Sequence, residues 1–158
     1  MTIVPEEAQL KNERKTEVDE TRPKDKWLLE FPAFTDSRGT LSFLEANQHV
    51  PFEIRRIFYL YDVPAGQKRA AHALIKCHQC LIAIAGNFDV VLDDGTTRKT
   101  YHLHQRNIGL YVPPMIWREL LNFSKDAVCL VLASEAFDPD DYYEDYANFI
   151  KAVGGTRV

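Results

Sequence analysis

From Trp27 onward the chain breaks into short apolar or alternating runs separated by turn residues, a texture that β-strands satisfy and long helices do not. The candidate strands are Thr40 to Glu45, Arg56 to Asp62, Ala70 to Ile75, Cys80 to Ala85, Phe88 to Leu92, Lys99 to His104, Gly109 to Val112, Trp117 to Phe123 and Ala127 to Ala133. So many short strands point to an all-β barrel or sandwich. Asp93-Asp94-Gly95 predicts a tight hairpin, because Asp-Gly supplies the positive φ angles that a primed turn demands. Asp36-Ser37-Arg38-Gly39 reads as a turn into the first strand. After Ser134 the pattern changes: Asp138 precedes Pro139, and Tyr142, Tyr143, Tyr146, Phe149, Ile150 and Val153 recur at helical spacings. A C-terminal amphipathic helix is expected there.

The chain has 158 residues, 46% of them hydrophobic, which suffices for one substantial core and is too short for two ordinary domains. Residues 1–26 are dominated by Glu, Lys, Asp, Arg and Thr and read as a polar extension, leaving 27–158 as the domain with its helix. A formal net charge of -4 argues against the broad positive field that nucleic acid requires. Cys77, Cys80 and Cys129 are an odd set without the spacing of a disulfide scaffold, so reduced thiols and a cytoplasmic protein are expected. No signal peptide and no apolar stretch long enough to span a bilayer is visible, so no membrane partner is expected.

The chemistry concentrates in Arg69-Ala70-Ala71-His72-Ala73-Leu74-Ile75-Lys76-Cys77-His78-Gln79. Gly66, His72 and Gly86 keep the outer frame of the first cupin motif, whose metal-binding versions carry two histidines and a glutamate on one strand face. Here those three places read His72, Leu74 and His78. A second frame runs from Gly109 through Pro113 and Pro114 to Asn122, and Arg118 stands where the last ligand belongs. A guanidinium has no lone pair to offer a cation, so no metal and no other cofactor is expected.

Seven further stretches make the resemblance specific: Asp36-Ser37-Arg38-Gly39, Pro51-Phe52-x-Ile54-x-Arg56, Tyr59-x-Tyr61-Asp62, Arg69-x-x-His72-Ala73, Val91-Leu92-Asp93-Asp94-Gly95, Gly109-Leu110-Tyr111-Val112-x-Pro114-x-x-Trp117, and Val131-Leu132-Ala133-Ser134 followed by Asp140-x-Tyr142. Over residues 31–152 the chain resembles the sugar 3,4-ketoisomerases, metal-free cupins that act on dTDP-4-keto-6-deoxyglucose in deoxyaminosugar biosynthesis. The resemblance implies a cupin-type double-stranded β-helix, a jelly-roll barrel, with a C-terminal helix. It also implies a homodimer, with exchange of N-terminal strands as one route, and a dTDP-linked 4-keto-6-deoxy sugar as partner.

That family's strand reads Arg-Gly-x-His-Ala-His-Lys-x-x-x-Gln, with both histidines implicated in moving the sugar's proton. This chain has Ala70 for the glycine, Leu74 for the second histidine, Ile75 for the lysine and His78 for a usual glutamate, while Gln79 persists. Trp117 is kept, and the histidine after it is Arg118. Moving a carbonyl from C4 to C3 needs a base for the C3 proton, donors for the enediolate and an acid at C4. Leu74 can neither take nor give a proton. His72 is therefore the expected catalytic residue, shuttling the proton alone or with His78 as replacement partner.

Arg69 is expected on the diphosphate, with Arg56, Gln79, Tyr111, Trp117 and Arg118 as further substrate-binding residues. The plain alternatives are a satisfied interior histidine, salt-bridged surface arginines and barrel-core aromatics. Cys77-x-x-Cys80 places its thiols on opposite strand faces, and His102-Leu103-His104 follows a charged hairpin, so neither reads as a metal site. Three functions compete: a ketoisomerase, a homologue that binds nucleotide-sugar without catalysis because of Leu74, and an epimerase using another base and a tyrosine acid.

Overall fold

The computed structural model describes residues 25–155. The extension expected over 1–26 lies outside the described residues except for Asp25 and Lys26. Asp25 is already tied to the barrel, accepting hydrogen bonds from Trp27 N–H, from the Tyr101 hydroxyl at 2.9 Å and from Lys99 Nζ.

In chain order the strands are β1 (Leu28–Glu30), β2 (Ala33–Asp36), β3 (Gly39–Ser42), β4 (Arg56–Leu60), β5 (Arg69–Leu74), β6 (Gln79–Ala85), β7 (Phe88–Asp93), β8 (Arg98–Leu103), β9 (Ile108–Val112), β10 (Trp117–Leu121), β11 (Val128–Ala133) and β12 (Tyr142–Tyr143). One helix, α1 (Tyr146–Val153), follows. All nine expected strands are present, with their ends moved by three residues or fewer. Two five-stranded antiparallel sheets face each other: the first runs β1-β9-β6-β11-β4, the second β12-β5-β10-β7-β8. Hairpin β2–β3 stands apart as a two-stranded unit.

Alternation along each strand sends one set of side chains between the sheets. Leu81, Ala83, Leu110, Val112, Cys129 and Val131 of the first sheet meet Phe88, Val90, Leu92, Tyr101, Leu103 and Leu120 of the second. The outer face of the first sheet is partly roofed by Phe31, Val50 and Phe52 over Cys80, Ile82 and Leu132. On the outer face of the second, Phe149 of α1 seals Ala73 and Trp117. The all-β, cupin-type barrel with a C-terminal helix is the observed architecture.

Two local expectations change. The β7–β8 turn centres on Gly95 and Thr96 instead of Asp94 and Gly95: Asp94 N–H donates to Thr97 O at 3.2 Å, and Gly95 takes the positive φ, 95°, by itself. Glycine first in a two-residue loop is the other primed solution. The helical pattern after Ser134 splits in two. Asp138 and Pro139 cap only a short 3-10 turn, Pro139–Asp141, and Asp145 caps α1 by accepting from Asn148 N–H at 2.9 Å. Between them Tyr142 and Tyr143 pair with Leu74 and Ala73 of β5. No helix among the described residues is long and apolar enough to cross a membrane.

Candidate active site

Strand β5 enters the barrel through an irregularity. His72 lies opposite Arg118 and Ala70 opposite Glu119, so Ala71 is an extra residue in the ladder. Ala70 and Ala71 both take left-handed backbone angles, φ 66° and 58°. A bulge of this kind re-aims the next side chain, and here the next one is His72. Directly opposed residues share a face, so His72 and Arg118 project together between the sheets.

Arg118 is 1% exposed and spans the sandwich. One terminal nitrogen donates to Gln79 Oε1 on β6 at 2.6 Å and the other to Ile116 O at 2.9 Å. Gln79 lies beside Ala133 of β11, which lies beside Arg56 of β4, so these residues form one inward row across the first sheet. The Arg56 guanidinium sits 5.2 Å from the Phe58 ring and 5.7 Å from that of Phe137. Nε of Arg56 and Nε of Arg118 are both buried without a hydrogen-bond partner among the described residues. Two unpaired cationic N–H donors inside a barrel are poised for an oxyanion.

Burial pushes the His72 imidazole down to about 4, and the nearby Arg118 charge pushes the same way against a hydrogen bond to the Ala70 backbone. At neutral pH it is an uncharged base. Burial also lowers Arg118, to about 10, which leaves it cationic. Leu74 is fully buried among Cys77, Ala133, Phe58 and Tyr142, one wall of the same chamber. Arg69 is exposed at the start of β5, opposite Leu120.

The structure thus brings His72, Arg118, Gln79 and Arg56 together inside the barrel, with Arg69 at the head of the same strand. It does not bring His78, Tyr111 or Trp117 there. Between β5 and β6 the chain turns from one sheet to the other, fixed by Asp141, whose carboxylate accepts from Lys76 N–H at 2.7 Å and Cys77 N–H at 3.2 Å. Counting strand parity across that turn places His78 on the wrong face. His78 instead bonds through Nδ1 to the Tyr111 hydroxyl at 2.7 Å, beside Phe52 on the outside of the first sheet. Trp117 packs beneath α1 against Tyr146 and Phe149, and its indole N–H donates to Glu119. His102 bonds to Asp89 at 2.6 Å on the exposed hairpin. The described residues contain no cluster of three or more His, Cys, Asp or Glu able to hold a metal ion.

Residues 24–154 match the family described as "FdtA: WxcM-like, C-terminal". The TDP-4-oxo-6-deoxy-alpha-D-glucose-3,4-oxoisomerase of Aneurinibacillus thermoaerophilus is 39% identical over 126 residues, 80% of this chain and 91% of that protein. The chain belongs to the sugar 3,4-ketoisomerase family. Among solved structures, a 3,4-ketoisomerase from Helicobacter canadensis is 42% identical and superposes with a TM-score of 0.78, covering 80% of this chain and 96% of that one. A mutant of the 3,4-ketoisomerase QdtA from Thermoanaerobacterium thermosaccharolyticum, in complex with TDP-4-keto-6-deoxyglucose, is 33% identical with a TM-score of 0.78 over 80% of this chain and 91% of that one. As a 3,4-ketoisomerase family member, this chain holds its chamber with an arginine and a leucine where the family's sequence pattern has histidines.

Sequence reasoning missed Tyr142, Phe137 and Asp141 as residues of this region. Tyr142 was visible as part of the family pattern, but its helical spacing concealed a strand.

Proposed function

We propose that the protein is a nucleotide-sugar 3,4-ketoisomerase acting on dTDP-4-keto-6-deoxyglucose or a close relative. The observation that carries this reading is an uncharged, half-buried imidazole paired across a strand with a buried guanidinium, inside a barrel of this family. His72 removes the C3 proton of the 4-ketosugar. Negative charge then develops on the C4 oxygen, where the unpaired Nε–H of Arg118 supplies a preorganised donor in a site shielded from water. The resulting imidazolium returns its proton to C4. Gln79 holds the Arg118 fork in place, Arg56 serves the sugar side, and exposed Arg69 meets the diphosphate at the mouth. Tyr111 and Trp117 shape the walls from outside the chamber.

Incubation with the 4-ketosugar in deuterium oxide tests the reading. Movement of the ketone to C3 with deuterium in the ring, followed by NMR, is the expected result. Inversion of a centre with the ketone retained would make the protein an epimerase, and uptake without change would make it a binding protein. Loss of turnover in His72→Asn is expected; undiminished turnover would refute the role of that imidazole.

We further propose that the protein works as a homodimer through the outer face of the first sheet. Ile57 and Tyr59 on β4 are 58% and 59% exposed, and Tyr59, Leu130 and Ile82 form one cross-strand row on that face. Ile82, Ile84, Leu130 and Phe43 line an adjoining groove. The exposed apolar side chains of Ile57, Tyr59, Ile84 and Phe43 favour a self-complementary contact with a second copy. Sedimentation of Tyr59→Glu should show a shift toward monomer. The three cysteines are free and buried, which fits work in the reducing cytoplasm.

A further inference from the structure

The missing histidine leaves the isomerisation one proton-transfer group short. Four bonds to hydrogen change: C3–H and O3–H break, while C4–H and O4–H form. One imidazole can carry the carbon-bound proton from C3 to the neighbouring C4. The hydroxyl proton must travel from O3 to O4 by another group.

The strand ladder points to that group. Tyr142 of β12 lies directly opposite Leu74, so its side chain shares the face on which the family's second histidine would stand. Tyr142 packs with Leu74, Cys77 and Ala133 in the chamber wall, whereas its neighbour Tyr143 faces the other way, toward Trp117 and Phe149. The phenol ring meets the His72 imidazole edge-on, with centroids 5.0 Å apart and planes at 71°. Tyr142 is only partly buried, and its hydroxyl engages none of the hydrogen bonds made by the described residues. It also lies close enough to the buried Arg118 guanidinium for their charges to interact.

We propose that Tyr142 is the second catalytic residue, its phenol moving the hydroxyl proton while His72 moves the carbon-bound one. This rests on the ketoisomerase reading given above. As His72 takes the C3 proton, the Tyr142 hydroxyl gives its proton to O4. The products of that half-reaction are a neutral enediol, an imidazolium and a phenolate beside the Arg118 cation. In the second half the imidazolium protonates C4, the electron pair of the O3–H bond becomes the new carbonyl, and the phenolate recovers the O3 proton. Both groups end in their starting forms, with no external reactant required.

Tyr142→Phe keeps the ring and its packing and removes only the hydroxyl. Turnover of TDP-4-keto-6-deoxyglucose should fall about 100-fold or more, the size expected of a general acid–base, while KM and calorimetric TDP affinity stay within about threefold. Leu74→His should raise the turnover of Tyr142→Phe by a factor at least about ten times larger than it changes the parent, because an imidazole there replaces the phenol. A Tyr142→Phe enzyme with more than a third of parental turnover would overturn the proposal. So would strictly additive effects of the two substitutions, or a loss confined to KM and TDP affinity. A parent enzyme that binds TDP but never moves the ketone overturns the ketoisomerase reading itself, and this inference with it.

Discussion

At one end of the barrel interior Phe88, Leu103, Ala83 and Cys129 are all 2% exposed or less, and Phe88 stacks on Phe123 at 5.0 Å. At the other end the same two sheets enclose a fully buried guanidinium, two unpartnered Nε–H groups and two consecutive alanines in left-handed backbone. The first end is apolar surface removed from water, which is where folding free energy originates. The second contains the features that oppose folding: a desolvated charge, orphaned donors and backbone strain. Stability and chemistry are therefore divided along the barrel axis, and the packed end tolerates what the reactive end requires.

Substitutions at the two ends should separate cleanly. His72→Asn should lower turnover by about 10²–10⁴-fold with little change in melting temperature, since it removes a proton carrier and leaves the packing. Phe88→Ala should destabilise by about 3–5 kcal/mol in denaturant titration, with chemistry unaffected in the molecules that remain folded. A His72 variant that unfolds, or a Phe88 variant that is stable and inactive, would break the division.

Arg118→Met should show the opposition within one residue. Methionine is shorter but keeps the unbranched apolar stem and carries no charge to desolvate, so melting temperature should hold or rise, while turnover falls at least about tenfold. The pH dependence sharpens the same contrast. Because the folded His72 sits near 4 against an ordinary 6.5, the unfolded chain takes up a proton between those values that the folded one refuses. Stability present above pH 6.5 is thus lost progressively as pH falls toward 4, and His72→Asn should flatten that slope in thermal scans. The acid limb of turnover should likewise lie near 4. Smallest of all, Ala70→Gly should stabilise by about 1 kcal/mol in chemical denaturation, because glycine adopts φ 66° without the clash that a Cβ brings.

The same division governs what could be read from sequence. The nine expected strands correspond to observed ones because their patterns answer to burial on one face, a local signal repeated every second residue. Strands β1, β2 and β12 are two to four residues long and leave too little alternation to see. His78 failed because parity runs only within a strand, and Asp141, distant in sequence, turns the chain between His72 and Gln79. His72, Gln79, Arg118 and Arg56 could be named from the family pattern, but their meeting inside the barrel depends on pairings such as Gln79 with Ala133 that no local spacing encodes. Tyr142 was hardest to place, since aromatic spacing after Ser134 imitates a helix that starts only at Tyr146.

The two-residue strand β12 forms the rim of the second sheet, lying against the edge of β5 at Ala73 and Ile75, where Ile75 N–H donates to Asp141 O at 2.9 Å and would otherwise meet solvent. A polypeptide cut just before Tyr142 would keep nearly every barrel residue yet bare a sticky selvedge beside its reactive imidazole. Shortened versions should accordingly clump edge to edge, so truncations must leave this short segment in place.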